Sequence, residues 1–285
     1  MHDHDLGLGA DLERMLAQPA SRRQSLRWLF AGAGAGLLPL AGCGGSSDGS
    51  YGISTSTTTT GSGSTGSTSA SCAVIPEETG GPYPGDGTNR NANGVANALV
   101  LSGIVRSDIR ASIAGASGVA AGVPLTIRLQ LVNVAGGCTL APGAALYLWH
   151  CTREGGYSMY SNGIVGENYL RGVQEADSEG WVTFTTIFPG CYDGRMPHVH
   201  FEVYPSLARA GSAANRVKTS QFTFPMATLN EAYTASGYGS SVSNLSRISY
   251  ALDNVFSDGT SLQMASVSGN ATQGYVATLV VGVSL

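Results

Sequence analysis

The stretch VPLTIRLQLVNV, residues 123–134, decides the fold class of this chain. Its leucines and its isoleucine occupy every second position, and threonine, arginine and glutamine stand between them. Successive side chains of a β-strand point to opposite faces, so an alternation of this kind is typical of a strand with one buried face. The stretch therefore predicts a β-strand that packs one face against a core.

Runs of similar character recur along the rest of the chain, separated by turns rich in glycine and asparagine. Helical periodicity is scarce, and its best candidate is a turn or two around 226–233. Many short strands at this spacing are typical of two packed antiparallel sheets. We therefore predict an all-β fold, an antiparallel β-sandwich with little helix. Its further strands are predicted at 96–106, 145–150, 182–187, 199–204, 219–224 and 275–283.

The N-terminal 42 residues have the organisation of an export signal. Arg22 and Arg23 precede an apolar run of 14 residues, which is shorter than the roughly 20 residues of a membrane-spanning helix. The order Ser-Arg-Arg-x-x-Leu resembles a twin-arginine signal, and Leu-Ala-Gly before Cys43 resembles a bacterial lipobox. We predict an exported, extracytoplasmic lipoprotein anchored through Cys43. The alternative is an uncleaved amphipathic anchor or a buried helix.

Residues 43–71 consist almost entirely of serine, threonine and glycine, which predicts a flexible linker between the anchor and a domain. Residues 72–285 are long enough to form one domain with a substantial core. The net charge of the chain is −4, and no basic run follows the signal. The positive charge that nucleic-acid binding requires is therefore missing, and we expect no nucleic-acid partner. The only membrane contact that we expect is through the N-terminal lipid.

Four cysteines belong to this predicted domain: Cys72, Cys138, Cys151 and Cys191. In an oxidising compartment an even set predicts up to two disulfides, with three possible connectivities. The alternative is a metal cluster held by thiolates, but the C-x-x-C spacing typical of such clusters does not occur. We expect disulfides or free structural thiols.

Two of the three histidines that follow the signal lie in the predicted strand PHVHFEVY, residues 197–204. Because side chains alternate along a strand, His198 and His200 should project from one face while Val199 points into the core. Two imidazoles on one face suit a single metal ion. The alternative is a solvated strand face that carries two histidines, and H-x-H alone does not decide between them.

The sequence around this pair contains further residues suited to metal chemistry. Tyr192 precedes His198 by six residues and ends the sequence Pro-Gly-Cys-Tyr, and Arg195 precedes His198 by three. Upstream, Trp149 is followed by a Gly-Gly turn and then by Tyr157. An Asp-Ser-Glu-Gly turn lies between these two segments, at residues 177–180.

Together these segments resemble the intradiol ring-cleavage dioxygenases, the family of protocatechuate 3,4-dioxygenase and catechol 1,2-dioxygenase. The patterns W-x-x-x-x-x-G-x-Y, P-x-x-Y and R-x-x-H-x-H occur here in the order that the family has. The resemblance runs from about residue 75 to residue 224 and is greatest to a protocatechuate-type β-subunit. It implies the β-sandwich of that family and leaves residues 229–285 without a chemical role.

The resemblance also implies a cofactor and a reaction. The cofactor would be a non-haem Fe(III) ion held by Tyr157, Tyr192, His198 and His200. The substrates would be a catechol-type compound and O2, and the product a cis,cis-muconate-type diacid. Ferric iron is a hard cation that favours anionic oxygen, and a bound cation lets phenols ligate as phenolates near neutral pH. Tyr192, an axial ligand in this scheme, would leave the metal and accept a substrate proton.

Three further residues receive roles from the same resemblance. Arg195 would stabilise negative charge that develops on the ring, and its alternative is a surface arginine. Gln221 and Tyr83 would line the substrate pocket, although a packing role is as consistent with each sequence context. His150, beside Trp149, is expected to be a packed or hydrogen-bonded histidine and not a ligand.

Two other classes of protein remain as alternatives at this point. One is a surface-anchored, metal-containing β-sandwich that binds ligands without turnover. The other is a cupin-like metalloenzyme, which also uses H-x-H on a strand. A cupin would need a glutamate four or five residues after the second histidine and a later third histidine, whereas Glu202 follows His200 by two residues and no histidine comes later.

Overall fold

The computed structural model describes residues 73–285. The predicted signal peptide at 1–42, the predicted linker at 43–71, Cys43 and Cys72 all lie outside the described residues. Within residues 73–285, no helix is long and apolar enough to cross a membrane.

The described part of the chain is built mainly from β-strands, with two short α-helices and three single turns of 3-10 helix at 207–209, 213–215 and 256–258. This composition confirms the predicted all-β class with little helix. The elements are β1 (Asp86–Asn91), β2 (Gly94–Asn97), β3 (Pro124–Asn133), β4 (Thr139–Leu140), β5 (Ala145–Trp149), β6 (Arg171–Glu175), β7 (Trp181–Ile187), β8 (His198–Tyr204), β9 (Lys218–Thr223), α1 (Met226–Ala232), α2 (Gly239–Leu245), β10 (Ser266–Asn270) and β11 (Gly274–Val283).

Two sheets form the sandwich. One has the order β6-β5-β8-β9, and all its pairings are antiparallel. The other runs β10-β11-β3-β4, with β7 also paired to β3. Its β11–β3 pair is parallel, because the chain returns through α1, α2 and β10 before the last strand enters the sheet. Strands β1 and β2 form a separate hairpin.

The core lies between the two sheets and is filled by the apolar positions of the alternating strands. From β3 the buried side chains are Leu125, Ile127, Leu129 and Leu131, as the alternation predicts. The four-stranded sheet is also covered on its other face, where a second cluster includes Tyr147, Trp149, Tyr157 and Tyr204. That second buried face holds the candidate site.

The predicted strand at 96–106 is wrong. The chain pairs only as far as the end of β2 and then makes consecutive turns, with hydrogen bonds from Leu101 N to Ala98 O and from Ile104 N to Leu101 O. Val100 is exposed, and Val105 forms a single isolated bridge to β6. Strand β6 lies at the edge of its sheet, but the run 96–106 meets it only at this bridge, so the strand-like composition did not produce a paired strand.

The cysteines within residues 73–285 match the expectation of disulfides or free structural thiols. Cys138 is disulfide-bonded, whereas Cys151 and Cys191 are buried free thiols. Burial raises the pKa of Cys151 to about 12, so this thiol stays protonated and inert.

Candidate metal centre

Strand β8 positions the two histidines side by side. His198 and His200 project from the face opposite the sandwich core, while Val199, Phe201 and Val203 are fully buried in that core. The alternation thus has the predicted direction. His200 stands opposite Trp149 in the β5–β8 register, and its ring stacks on the indole with 4.9 Å between centroids and 2° between planes.

Two loops bring tyrosines to the same point. Tyr157 follows the turn after β5, and its hydroxyl lies 3.4 Å from His198 Nε2. Tyr192 precedes β8, and its hydroxyl lies 3.3 Å from the same nitrogen. His200 Nε2 lies 3.1 Å from His198 Nε2 as well. The four residues assigned as ligands by resemblance therefore have their donor atoms within one small volume.

These contacts conflict chemically if they are read only as hydrogen bonds. His198 Nδ1 lies 2.6 Å from the carbonyl of Met196, to which it donates, so Nε2 of the neutral ring carries a single lone pair. One lone pair cannot satisfy the hydroxyls of Tyr157 and Tyr192 and the ring of His200 together. Ligand atoms about 2.1 Å from one metal ion stand about 3.0 to 3.6 Å apart. The observed separations match a metal centre.

Burial determines the charge of these groups in the protein alone. His198 and His200 are each 2 % exposed, and burial followed by the positive charge of Arg195 lowers the pKa of His198 to about 3. Burial, and then His198, holds the pKa of His200 well below its usual value. Both imidazoles are therefore neutral, the form that donates a lone pair to a metal. Burial also raises the pKa of Tyr157 well above 10, so ionisation of this phenol needs a cation nearby.

A buried arginine lies beside these four side chains. Arg195 is 4 % exposed and forms an ion pair with Asp253, with 3.0 Å between Nε and Oδ2. Its Nη2 donates to Gln221 Oε1 at 2.8 Å. Burial alone would lower the pKa of Arg195, but the phenol of Tyr192 and the carboxylate of Asp253 outweigh it, so the guanidinium stays charged. The alternative of a surface arginine is excluded.

The segment before β1 closes the site from one side. The φ of Gly81 is +67°, and a Cβ at this position would stand 3.3 Å from Cε1 of His200, so glycine suits both the backbone conformation and the space. Gln221 Nε2 donates to the carbonyl of Thr79 at 2.8 Å. The ring of Tyr83 packs 4.9 Å from that of Tyr157. The two candidate pocket residues, Gln221 and Tyr83, thus both contact the centre's own residues.

Arg171 at the start of β6 fixes the tyrosine-bearing loop and this N-terminal segment to each other. It is 1 % exposed, and its guanidinium donates to the carbonyls of Tyr83, Pro84 and Ser158 at 2.7 to 2.9 Å. Ser158 directly follows Tyr157. A buried guanidinium with several donors in a rigid plane is suited to joining two loops in this way.

His150 lies outside the centre. Its Nδ1 lies 2.8 Å from the carbonyl of Cys151, and its Nε2 lies 2.7 Å from the hydroxyl of Thr186. Both ring nitrogens are therefore occupied, as expected of a hydrogen-bonded structural histidine. Among residues 73–285, no three histidine, cysteine, aspartate or glutamate side chains are grouped to hold a metal ion, so the candidate centre depends on its two tyrosines.

Sequence reasoning missed Asp253 and Arg171. Asp253 lies in the C-terminal part of the chain, to which no chemistry was assigned, and its partner Arg195 is 58 residues away. A lone aspartate in YALDNVF, residues 250–256, carries no motif that would reveal this contact. Arg171 stands before Gly-Val-Gln-Glu, a sequence that carries no motif for such a role.

Comparisons with known proteins bear on the family and the fold of the chain. The protein-family model described as Dioxygenase matches residues 107–217. An intradiol ring-cleavage dioxygenase from Tetranychus urticae superposes with a TM-score of 0.56 and 24% identity, over 75% of this chain and 95% of that one. The dioxygenase Tetur07g02040 gives 0.56 and 23% over the same shares. A dioxygenase domain from Streptomyces sp. SirexAA-E gives 0.46 and 21%, over 75% and 99%. No curated protein matches the sequence.

The chain thus shares its fold with an intradiol ring-cleavage dioxygenase, and residues 107–217 match a dioxygenase family model. The match covers Tyr157, Tyr192, Arg195 and both histidines of β8, but it ends before Gln221 and before the whole C-terminal part. The fold that this chain shares with the mite enzyme argues against the cupin-like alternative.

Proposed function

We propose that this enzyme holds one Fe(III) ion on Tyr157, Tyr192, His198 and His200 and cleaves a catechol-type ring with O2 to a cis,cis-muconate-type diacid. The observation that carries the proposal is the crowding at His198 Nε2. Three other polar atoms approach this nitrogen within 3.1 to 3.4 Å, although it has one lone pair to offer.

The four side chains fit ferric iron by their chemistry. Two phenol oxygens and two imidazole nitrogens make a hard, partly anionic donor set of the kind that Fe(III) favours. The hydrogen bond from His198 Nδ1 to the Met196 carbonyl fixes the tautomer that a metal ligand requires. A bound ferric ion would supply the Lewis acidity that deprotonates a catechol and the redox access that lets the ring react with O2.

The tyrosines differ in a way that suits a proton transfer. Tyr157 is 1 % exposed and is covered by Tyr83, whereas Tyr192 is only half-buried. A catechol entering from the open side would therefore meet Tyr192 first. Its phenol oxygen is the atom that we propose accepts the substrate's second proton.

Arg195 supplies the positive charge for the ring-cleavage step. Its guanidinium is buried and lies close enough to both tyrosines to interact with them electrostatically. In a site of low dielectric, a fixed charge stabilises developing negative charge strongly and needs no reorganisation. We propose that Arg195 acts on the ring oxygen that gains charge, with Gln221 holding the other side of its guanidinium.

Oxygen uptake tests this function. The iron-loaded enzyme should consume one O2 per catechol and release a diacid, measured with an oxygen electrode and by mass spectrometry of the product. The control is Tyr160→Phe, which removes a phenol three residues from Tyr157 without touching the proposed ligands. Tight catechol binding without O2 uptake in the wild-type protein would instead support the ligand-binding alternative.

We also propose that the enzyme works outside the cytoplasm, anchored by a lipid on Cys43. The export-type N-terminus supports this, and so does the disulfide at Cys138, because such bonds persist in oxidising compartments. Expression of the full chain with radiolabelled fatty acid should label the wild type and leave Cys43→Ser unlabelled. Equal labelling of both proteins would contradict the anchor.

A further inference from the structure

The C-terminal part of the chain, which lies beyond the Dioxygenase match, contributes a residue next to the centre. Asp253 is 0 % exposed, in the turn between α2 and the last 3-10 helix. An isolated buried carboxylate is strongly unfavourable, so its partners indicate why it is there. Those partners belong to the loop that enters β8.

Both oxygens of Asp253 are fully engaged. Oδ2 accepts from Arg195 Nε at 3.0 Å and from Met196 N at 2.7 Å. Oδ1 accepts from Val255 N at 2.8 Å and from Phe256 N at 3.1 Å. The two local bonds fix the carboxylate on its own turn, and the two long-range bonds fix the arginine and the peptide beside it.

Two short series of hydrogen bonds connect Asp253 with the proposed metal centre. Arg195, held at Nε by Asp253, is held at Nη2 by Gln221, so its guanidinium is restrained at two edges. Met196 gives its N–H to Asp253 and accepts a hydrogen bond from His198 Nδ1 at its carbonyl. A second C-terminal side chain, Gln263, donates to the carbonyl of Gln221 at 3.0 Å.

We propose that Asp253 is a positioning residue for ring cleavage, which holds the Arg195 guanidinium at the place where negative charge develops. The inference rests on the proposed function and extends it to a part of the chain outside the matched family region. Asp253 would act through Arg195 and not by touching the substrate.

Asp253→Asn is the sharpest test. The amide keeps the shape of the carboxylate but loses its charge, and it turns an NH2 group toward one of the N–H donors that Asp253 accepts from. Because a displacement of about 1 Å costs about 100-fold in rate, kcat should fall about 100-fold while KM changes little. The iron content and the visible band should stay at wild-type levels, since the four ligands are intact.

A double-mutant comparison separates positioning from general stability. If Asp253 acts through Arg195, adding Asp253→Asn to Arg195→Gln should lower kcat by less than about 3-fold beyond the single variant. Asp108→Asn is the matched control, because it removes a carboxylate from an exposed Asp–Arg pair and should leave kcat unchanged. An NMR signal of Arg195 Nε–H that resists solvent exchange in the wild type should lose its protection in Asp253→Asn.

Three results would overturn the inference: multiplicative losses in the double variant, an unchanged kcat in Asp253→Asn, or unchanged protection of Arg195 Nε–H. If Asp253→Asn does not fold, Asp253→Glu supplies the test. It keeps the charge but displaces the guanidinium by one methylene, so wild-type kcat in that variant would overturn the proposal. A wild-type enzyme that binds iron but cleaves no catechol would defeat the proposed function itself, a result distinct from those three.

Discussion

The two faces of strand β8 are equally buried but differ in the side chains that surround them. The inner face carries Val199, Phe201 and Val203, which pack between the sheets. The outer face carries His198 and His200, which are just as buried but are surrounded by tyrosines, an arginine and a stacked indole. Equal burial thus has opposite chemical consequences. On one face it removes apolar surface from water, and on the other it deprives polar groups of water.

The difference shows how the fold supports a reactive centre. Burial of the inner face stabilises the sheet by about 25 cal/mol for each Å² of apolar area. Burial of the polar groups on the outer face destabilises the folded state unless these groups gain hydrogen-bond or metal partners. A bound cation would provide such partners. A strand that is anchored on one face can therefore hold poorly satisfied groups on the other, and substitutions on the two faces should have separable effects.

The largest effect is expected on the outer face. Tyr157→Phe removes one proposed ligand and leaves the packing against Tyr83 in place. Residues that only orient a metal ligand are worth about 10- to 100-fold, so loss of the ligand itself should cost more than about 100-fold in iron affinity and in kcat/KM. Iron analysis after dialysis and oxygen uptake measure the two losses. Retention of both iron and activity would remove Tyr157 from the centre.

A substitution on the inner face should lower the stability of the protein and leave its catalytic activity unchanged. Phe201→Ala leaves a cavity between the sheets and should lower the free energy of unfolding by about 3 to 5 kcal/mol. The variant, where folded, should keep its iron and its kcat, because the neighbouring histidines point away from the cavity. Denaturant unfolding and single-temperature kinetics check both parts. A loss of iron from the folded variant would show that the faces are coupled.

A pH-dependent effect of intermediate size is expected at His150, a buried histidine away from the ligands. Burial lowers its pKa to about 4, against about 6.5 in an unfolded chain. The unfolded state therefore binds the extra proton, and the stability present above about pH 6.5 is lost as the pH falls through 4. His150→Gln should flatten this dependence by up to about 1.4 kcal/mol per pH unit. Parallel stability curves for both proteins would contradict the expectation.

The smallest effect is expected at the surface. Asp108 and Arg110 form an exposed ion pair whose side chains are 51 % and 43 % accessible. Solvent and salt screen such pairs, so Asp108→Asn should change the free energy of unfolding by less than about 1 kcal/mol and leave iron binding unchanged. Thermal unfolding at two salt concentrations measures it. A larger change would mean that this surface contributes more to the fold than its exposure indicates.

The features predicted from the sequence depend on short-range patterns. Strands β3 and β8 follow from strict alternation, and the orientation of Val199 against His198 follows from the same rule. The proposed ligands are implied by the resemblance to the intradiol dioxygenases, and the structure brings their donor atoms together. Within these elements, neighbours along the chain determine which side chains share a face.

The remaining features depend on contacts that sequence patterns do not encode. The run 96–106 has strand-like composition, but its backbone forms consecutive turns and meets a sheet only at the Val105 bridge to β6. Asp253 meets Arg195 across 58 residues, and only the folded chain shows the pair. The parallel entry of β11 beside β3 is likewise a consequence of how the C-terminal part packs.

Titration of the metal-free protein with ferric iron, followed by visible absorbance, tests the central claim most directly. Two phenolates on one Fe(III) should produce a red-brown band that saturates at one iron per chain. The band should change in Tyr157→Phe and in Tyr192→Phe and should stay unchanged in Tyr160→Phe. A protein that remains colourless after binding iron, or a band that survives replacement of both tyrosines, would contradict the proposed centre.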